Sequence, residues 1–261
     1  MGLRWQLARS RSSRARPVLL YQMGKVGSTS VHRSLEESAD VIALHVHRLS
    51  ATGIAAAERS GNDPSVSRGH IIRRHIVERG RRAPVISLVR DPIARNLSAY
   101  FHRLDVYWPR WRGWQQIPRE AILESFLDTY PHQIPLTWFD RELREVIGID
   151  VYAQPFDPDR GWVAIEHEMH PTIVLRTDLP DERKAAALSD FLDVPIRPTS
   201  RTNVGEDKGY GAVYREFMKD LVLPEDHVNH MLDSKVARHF FAPGELEALR
   251  QKWLGRGRAA A

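Results

Sequence analysis

Residues 17–31 read Pro17-Val-Leu-Leu-Tyr-Gln-Met-Gly-Lys-Val-Gly-Ser-Thr-Ser-Val31. The apolar run that opens this stretch predicts a strand over 18–23. The run leads through Gly24, Lys25 and Gly27 into Ser28, Thr29 and Ser30, where a helical pattern over 28–38 begins. Glycine takes backbone angles that other residues avoid, so Gly24 and Gly27 are expected to shape the turn. The amides of residues 27–30 become donors at a helix N-terminus, where an anion is favoured. Lys25 adds a positive charge. The stretch reads as a phosphate cradle, and the chain as one that binds a phosphorylated ligand. A glycine-rich turn that merely caps a helix is the plainer reading. The loop is not a Walker A motif, because Lys25 precedes the second glycine and Val26 stands where the Mg²⁺-binding hydroxyl belongs.

A second segment lies further along, Pro84-Val-Ile-Ser-Leu-Val-Arg-Asp-Pro-Ile-Ala-Arg-Asn-Leu-Ser-Ala-Tyr-Phe101. Val85–Val89 is continuously apolar and β-rich, as a strand buried on both faces would be. Asp91-Pro92 is a helix start, with Asp at the cap and Pro at the first helical position. Arg90 then falls at the carboxyl end of the strand and Ser98 about two turns into the helix. Ligands of open α/β sheets bind outside the carboxyl ends of the strands. An Arg fork and a hydroxyl there suit a phosphate monoester.

Together the two segments resemble the sulfotransferases that use 3′-phosphoadenosine 5′-phosphosulfate (PAPS). That family places a Lys-x-Gly-[Ser/Thr]-[Ser/Thr] loop, matched here by Lys25-Val26-Gly27-Ser28-Thr29, on the 5′-phosphosulfate. It holds the 3′-phosphate with an Arg and a Ser eight positions on, as Arg90 and Ser98 are spaced. Thr172–Leu179 and Phe191-Leu192 resemble the strand, acidic-Leu pair and helix end that follow. The stretch Asn203–Tyr210, with Tyr214, Phe217, Ser234-Lys235, Phe240-Phe241 and Trp253, resembles a bacterial group named for capsular polysaccharide synthesis. The resemblance spans residues 17–254. It implies a P-loop-like three-layer α/β fold, with a mostly parallel sheet, helices on both faces and a helical C-terminal extension. It further implies PAPS as co-substrate with no metal required, a hydroxyl-bearing acceptor such as a glycan, and catalytic use of Lys25. Lys208-Gly209 would close over the 3′-phosphate; a solvated lysine before a glycine turn is the alternative.

His45 and His47 alternate with Leu44 and Val46 at the end of a second strand expected over 41–47, so both imidazoles face one way. Sulfuryl transfer needs a base for the acceptor hydroxyl, and neutral His titrates in the useful range. His47 lies further toward the open end and is the first candidate base, with His45 second. Two polar residues packing at a strand end, or a two-His metal site, are the competing readings. Trp108, Trp111 and Trp114 recur every three residues beside Arg110 and Arg112, as sugar-stacking aromatics or as packing. Glu166-His-Glu-Met-His170 lacks a metal-binding spacing and reads as surface.

The 261 residues suit one α/β domain over 17–261. Residues 1–16 hold five of the 38 basic residues and no acid, and read as a disordered tail. The rest balances at 33 basic and 33 acidic residues, so its charge does not mark a nucleic-acid binder. No apolar stretch is long enough to span a membrane, and no secretory h-region is visible. With no cysteine, a cytoplasmic location is expected and disulfide or thiol chemistry is excluded. Further strands are expected at 151–154, 162–166 and 172–176. Helices are expected at 70–79, 92–106, 118–130, 135–147, 180–192, 210–221, 225–232 and 244–254. Two rival functions fit the cradle. An ATP-dependent small-molecule kinase would need a Mg²⁺-binding acid, for which Asp91 is the strand-end candidate. A nucleotide-binding protein without catalysis would serve polysaccharide assembly as a scaffold. Oligomeric state is not readable.

Overall fold

The computed structural model describes residues 15–59, 65–109, 116–198 and 210–256. In chain order the main elements are β1 (Arg16–Tyr21), α1 (Thr29–Glu37), β2 (Val41–Val46), α2 (Ala51–Arg59), α3 (Ser65–Ile72), β3 (Val85–Val89) and α4 (Pro92–His102). There follow α5 (Arg119–Thr129), α6 (Ile134–Trp138), β4 (Trp162–Ile165), β5 (Thr172–Arg176) and α7 (Asp181–Leu192). The chain ends in α8 (Gly211–Lys219), α9 (Glu225–Leu232), α10 (Lys235–Phe240) and α11 (Pro243–Trp253). It divides into two compact units. The first comprises residues 1–90 and 137–201, the second 91–136 and 202–261.

The first unit is an α/β unit built on one five-stranded sheet of order β2-β1-β3-β5-β4. β1 runs parallel to β2 and to β3, β3 runs parallel to β5, and β4 alone is antiparallel. β3 and β5 are buried at every position, which is why their sequences are unbroken apolar runs rather than alternating ones. The chain leaves β1 for β2 on one side and returns to pair β3 on the other. The carboxyl ends of β1 and β3 therefore flank a point where the strand order reverses, the place where such sheets open a crevice.

The second unit is helical. Phe101 of α4, Phe126 of α5, Phe217 of α8, Met231 of α9 and Trp253 of α11 are buried in one cluster. Tyr100 meets Phe126 edge-on at 5.5 Å between ring centroids, and Phe101 meets Phe217 at 5.1 Å. Asp91 caps α4 by accepting from the Ile93 amide at 2.9 Å, and it also accepts from the Trp253 indole at 3.0 Å. Trp108 packs here, donating its indole N–H to the Tyr100 hydroxyl at 2.9 Å. Trp111, Trp114, Arg110 and Arg112 lie outside the described residues.

The expected elements are found with shifted bounds, and α2 (Ala51–Arg59), which was not expected, is added to them; four other differences follow. Residues 151–153 form a 3₁₀ turn instead of a strand, because the Asp150 carboxylate accepts from the Tyr152 amide at 3.0 Å and draws the backbone into a turn. The helices expected over 70–79 and 135–147 contain π-helical turns at Arg73–Val77 and Phe139–Arg144. α10 was not expected; Ser234 caps it by accepting from the Ala237 amide. His170, read as a surface residue, is buried at the amino end of β5 with Nδ1 donating to the Ala83 carbonyl at 3.1 Å. Among the described residues no helix is long and apolar enough to cross a membrane.

Candidate functional site

The segment after β1 turns twice through left-handed backbone. Lys25 has φ 71° and Gly27 φ 74°. Gly24 lies in the turn but is not left-handed; the second left-handed angle is carried by the lysine, which the sequence reading did not anticipate. Such a conformation costs a non-glycine residue roughly 1–2 kcal/mol and persists only where surroundings enforce it. Two contacts do so. The Arg90 guanidinium donates to the Lys25 carbonyl at 3.1 Å. The Thr177 hydroxyl, just past β5, lies 2.5 Å from the Val26 carbonyl and 2.9 Å from that of Val89. The loop crown is thus tied to the ends of β3 and β5 while Val26 is buried beneath it.

Ser28 follows as the residue before α1, in helical conformation (φ −72°, ψ −5°) and with no capping bond from its side chain. The first bond of the helix runs from the His32 amide to the Ser28 carbonyl, 2.8 Å. The amides of Thr29, Ser30 and Val31 are then the first-turn donors that no helix carbonyl can take, about one residue later than the sequence suggested. Successive left-handed and helical residues turn backbone N–H groups into one concavity, which favours an anion. Lys25 is half-buried, Gly27 and Thr29 are exposed, and Ser28 and Ser30 are half-buried, so the concavity opens to solvent.

Beside the loop stands a wall of imidazoles. The rings of His45 and His47 lie 4.7 Å apart between centroids, and those of His32 and His45 5.1 Å, so the two strand-end histidines do share a face. His47 Nδ1 donates to the Gln22 carbonyl at 2.9 Å. In the neutral ring this makes Nε2 the acceptor nitrogen. Nε2 faces the loop, 3.8 Å from the position of a Cβ on Gly24. His45 differs: its Nε2 accepts from the Gln22 side-chain amide at 3.3 Å. Burial, then the neighbouring His47, His32 and Arg68, push its pKa down to about 2. Gln22 is itself fully buried, and its Oε1, like His32 Nε2, is buried without a hydrogen-bond partner. Each such orphan costs about 1–3 kcal/mol unless a ligand or water pairs it.

The site is supported from behind by a buried carboxylate that sequence reasoning missed. Glu142 accepts from the Tyr21 hydroxyl at 2.5 Å, the Leu49 amide at 2.7 Å, the Ser50 amide at 2.9 Å and the Ser50 hydroxyl at 2.6 Å. Trp138 donates its indole N–H to the His47 carbonyl at 3.0 Å. Gln22, Trp138, Glu142 and Thr177 carry no motif that marks them. Thr177 stands inside the quoted Arg176-Thr-Asp-Leu179 stretch, but its hydroxyl role appears only in three dimensions.

The first unit therefore brings together Gly24, Lys25, Gly27, Ser28, Thr29, Ser30, Arg90, His45 and His47. Ser98 is half-buried on the second turn of α4, in the second unit. Lys208 and Gly209 lie outside the described residues.

A family model described as "putative capsular polysaccharide synthesis protein" matches residues 123–242. The matched stretch carries Trp138, Glu142 and Thr177 and ends short of Trp253; the loop, His47 and Arg90 precede it. No curated protein and no solved structure matches the chain.

Proposed function

We propose that the chain is a PAPS-dependent sulfotransferase of P-loop-like fold, which moves a sulfuryl group to a hydroxyl of a glycan or polysaccharide. The observation that carries this reading is the convergence at the β1/β3 switch point. There a left-handed Lys25–Gly27 loop leads into the first turn of α1, an arginine at the next strand end holds the loop, and an imidazole nitrogen is aimed at it. The resemblance of Lys25-Val-Gly-Ser-Thr29 and of the Arg90…Ser98 step to PAPS enzymes supports it. So does the likeness of residues 123–242 to a polysaccharide-synthesis family.

The residues suit the chemistry as follows. The open amides and Lys25 hold the 5′-phosphosulfate, and Arg90 serves the 3′-phosphate. His47 Nε2 takes the proton of the acceptor hydroxyl as its oxygen bonds to sulfur. The bond from sulfur to the bridging oxygen breaks, its electron pair stays on the 5′-phosphate, and adenosine 3′,5′-bisphosphate leaves with the sulfate ester. Lys25 meets the charge growing on the bridging oxygen. His45 is left out of the proton's path, because its nitrogen is engaged by Gln22 and a ring that stays neutral to about pH 2 is a poor acceptor. No step in this scheme requires a metal.

The geometry disfavours the kinase alternative at its weakest point. Asp91, the acid a Mg²⁺ would need, is committed to the α4 amide and the Trp253 indole. Burial also raises its pKa, which works against a metal-binding carboxylate. Titration calorimetry with adenosine 3′,5′-bisphosphate against ATP, followed by transfer of labelled sulfate from PAPS to a glycan panel, tests the reading. Tight binding of the bisphosphate with transfer is expected. Preference for ATP would favour the kinase, and binding with no turnover on any acceptor the scaffold.

A further inference from the structure

Trp138 and Glu142 stand at the junction of α6 with the π-helical turn Phe139–Arg144. Both reach the same short segment, residues 47–50, which belongs to no strand or helix. Backbone groups in such a connection are ordinarily left to water. Here they are taken by named side chains. The His47 carbonyl accepts from the Trp138 indole at 3.0 Å. The amides of Leu49 and Ser50 donate to Glu142 at 2.7 and 2.9 Å, and the Ser50 hydroxyl donates to its other oxygen at 2.6 Å. The Leu49 carbonyl accepts from Arg73 at 2.6 Å, and just upstream the His45 carbonyl accepts from Arg68 at 3.1 Å. Tyr21 closes the assembly, donating to Glu142 at 2.5 Å and meeting the Trp138 ring edge-on at 5.2 Å.

Glu142 is only 4% exposed. A carboxylate is expensive to bury, and its four donors offset that cost only if all of them stay in place. A hydrophobic residue would have filled the space more simply had packing been the whole purpose. The π-helical turn that carries Glu142 is likewise a rare device, frequent at functional sites. What the assembly holds still is the backbone from which His47 projects toward Gly24.

We propose that Trp138 and Glu142 are positioning residues for His47: they fix the 47–50 backbone so that the imidazole meets the crevice with Nε2 toward the loop. This inference rests on the reading of His47 as the base, but it has a readout of its own.

The test is Trp138→Phe, which keeps an aromatic ring against Tyr21 and removes one N–H donor. Loss of one neutral hydrogen bond corresponds to about fivefold, and a misplacement near 1 Å to about a hundredfold in rate. Turnover is expected to fall between those limits, with the Kd of adenosine 3′,5′-bisphosphate unchanged and the acid limb of the pH–rate profile displaced. In long-range ¹H–¹⁵N spectra the wild-type His47 ring is expected as the single Nδ1-protonated tautomer, and the variant as a mixture. Glu142→Leu, which leaves the Leu49 and Ser50 amides without the Oε2 acceptor that both use, should show the same spectral mixing more strongly. A Trp138→Phe protein with wild-type turnover, pH profile and His47 ring spectrum overturns the proposal. If His47→Ala keeps full activity, the base reading falls instead. The ring spectrum of Trp138→Phe then still decides whether Trp138 sets that ring.

Discussion

Thr177 and Gly27 fit each other with no space to spare: a Cβ added at Gly27 would stand 2.7 Å from the Thr177 methyl carbon. The same threonine's hydroxyl holds the carbonyl next to that glycine, at Val26. Side chain and loop therefore lock from both sides. Gly27→Ala meets the clash and a left-handed φ of 74° at once. It should weaken binding of adenosine 3′,5′-bisphosphate by at least tenfold in calorimetry. Thr177→Ser in the same chain relieves the clash but not the angle, so it should restore part of the affinity. An unchanged Kd in Gly27→Ala would mean that the loop binds nothing through its backbone.

Lys25→Ala should lower sulfate transfer by roughly a hundredfold or more, the usual cost of losing one electrostatic contact made in the transition state. Lys25→Met, which keeps the stem and loses the charge, separates the loss of charge from the loss of the side chain's bulk. Either variant retaining half of wild-type activity would dismiss the lysine from the reaction.

Much of this site is legible in the letters, and what is not has a physical cause. β3 and β5 are plain because strands buried on both faces are apolar throughout. The turn from β1 into α1 is plain because glycine and hydroxyl residues follow an apolar run. The identity of the left-handed residue was not plain. Lys25 takes that angle under holds from Arg90, 65 positions away, and its neighbour Val26 is tied to Thr177, 151 positions away. Glu142 is the hardest case. Among Asp140, Arg141, Arg144 and Glu145 it reads as one more charge on a solvated helix face. Only the π-helical turn, which no simple periodicity announces, brings it inside.

Arg90→Ala should discriminate between nucleotides. Where the arginine serves the 3′-phosphate, a charged hydrogen bond worth about 1.5–3 kcal/mol is lost for adenosine 3′,5′-bisphosphate and not for adenosine 5′-phosphate. That is one to two decades in Kd for one ligand. Because Arg90 also holds the Lys25 carbonyl, some weakening of both is expected. Equal weakening of the two would assign Arg90 to the loop's shape alone.

In the helical unit, His227 lies 4.5 Å from His132 between ring centroids, and its Nε2 is buried without a partner. Burial, then His132 and His230, push its pKa down to about 4. An unfolded chain binds this proton near pH 6.5. Between roughly pH 6.5 and 4 the unfolded state thus holds more protons than the native one, and stability falls as pH falls. Above that window the group contributes no slope, and below it the loss is complete. His227→Gln should lessen the drop in Tm between pH 7 and pH 4.5. Parallel melting curves for variant and wild type across that range would exclude His227 as a source of acid sensitivity.

His47→Ala should lower turnover by about two to four decades while nucleotide affinity stays within about twofold, because general-base catalysis acts in the transition state and not on the bound nucleotide. His47→Gln keeps a polar side chain of similar reach but cannot take the proton, so it should not rescue the rate. The acid limb of the pH–rate profile should vanish in both. His45 is the internal control. It shares the face, at 4.7 Å between ring centroids, yet its Nε2 accepts from Gln22 and its pKa is pushed down to about 2. His45→Ala should therefore cost less than about tenfold and leave the acid limb in place. If His45→Ala abolished turnover while His47→Ala did not, the proton would travel by the inner histidine, and the orientation of His47 toward Gly24 would have no catalytic meaning.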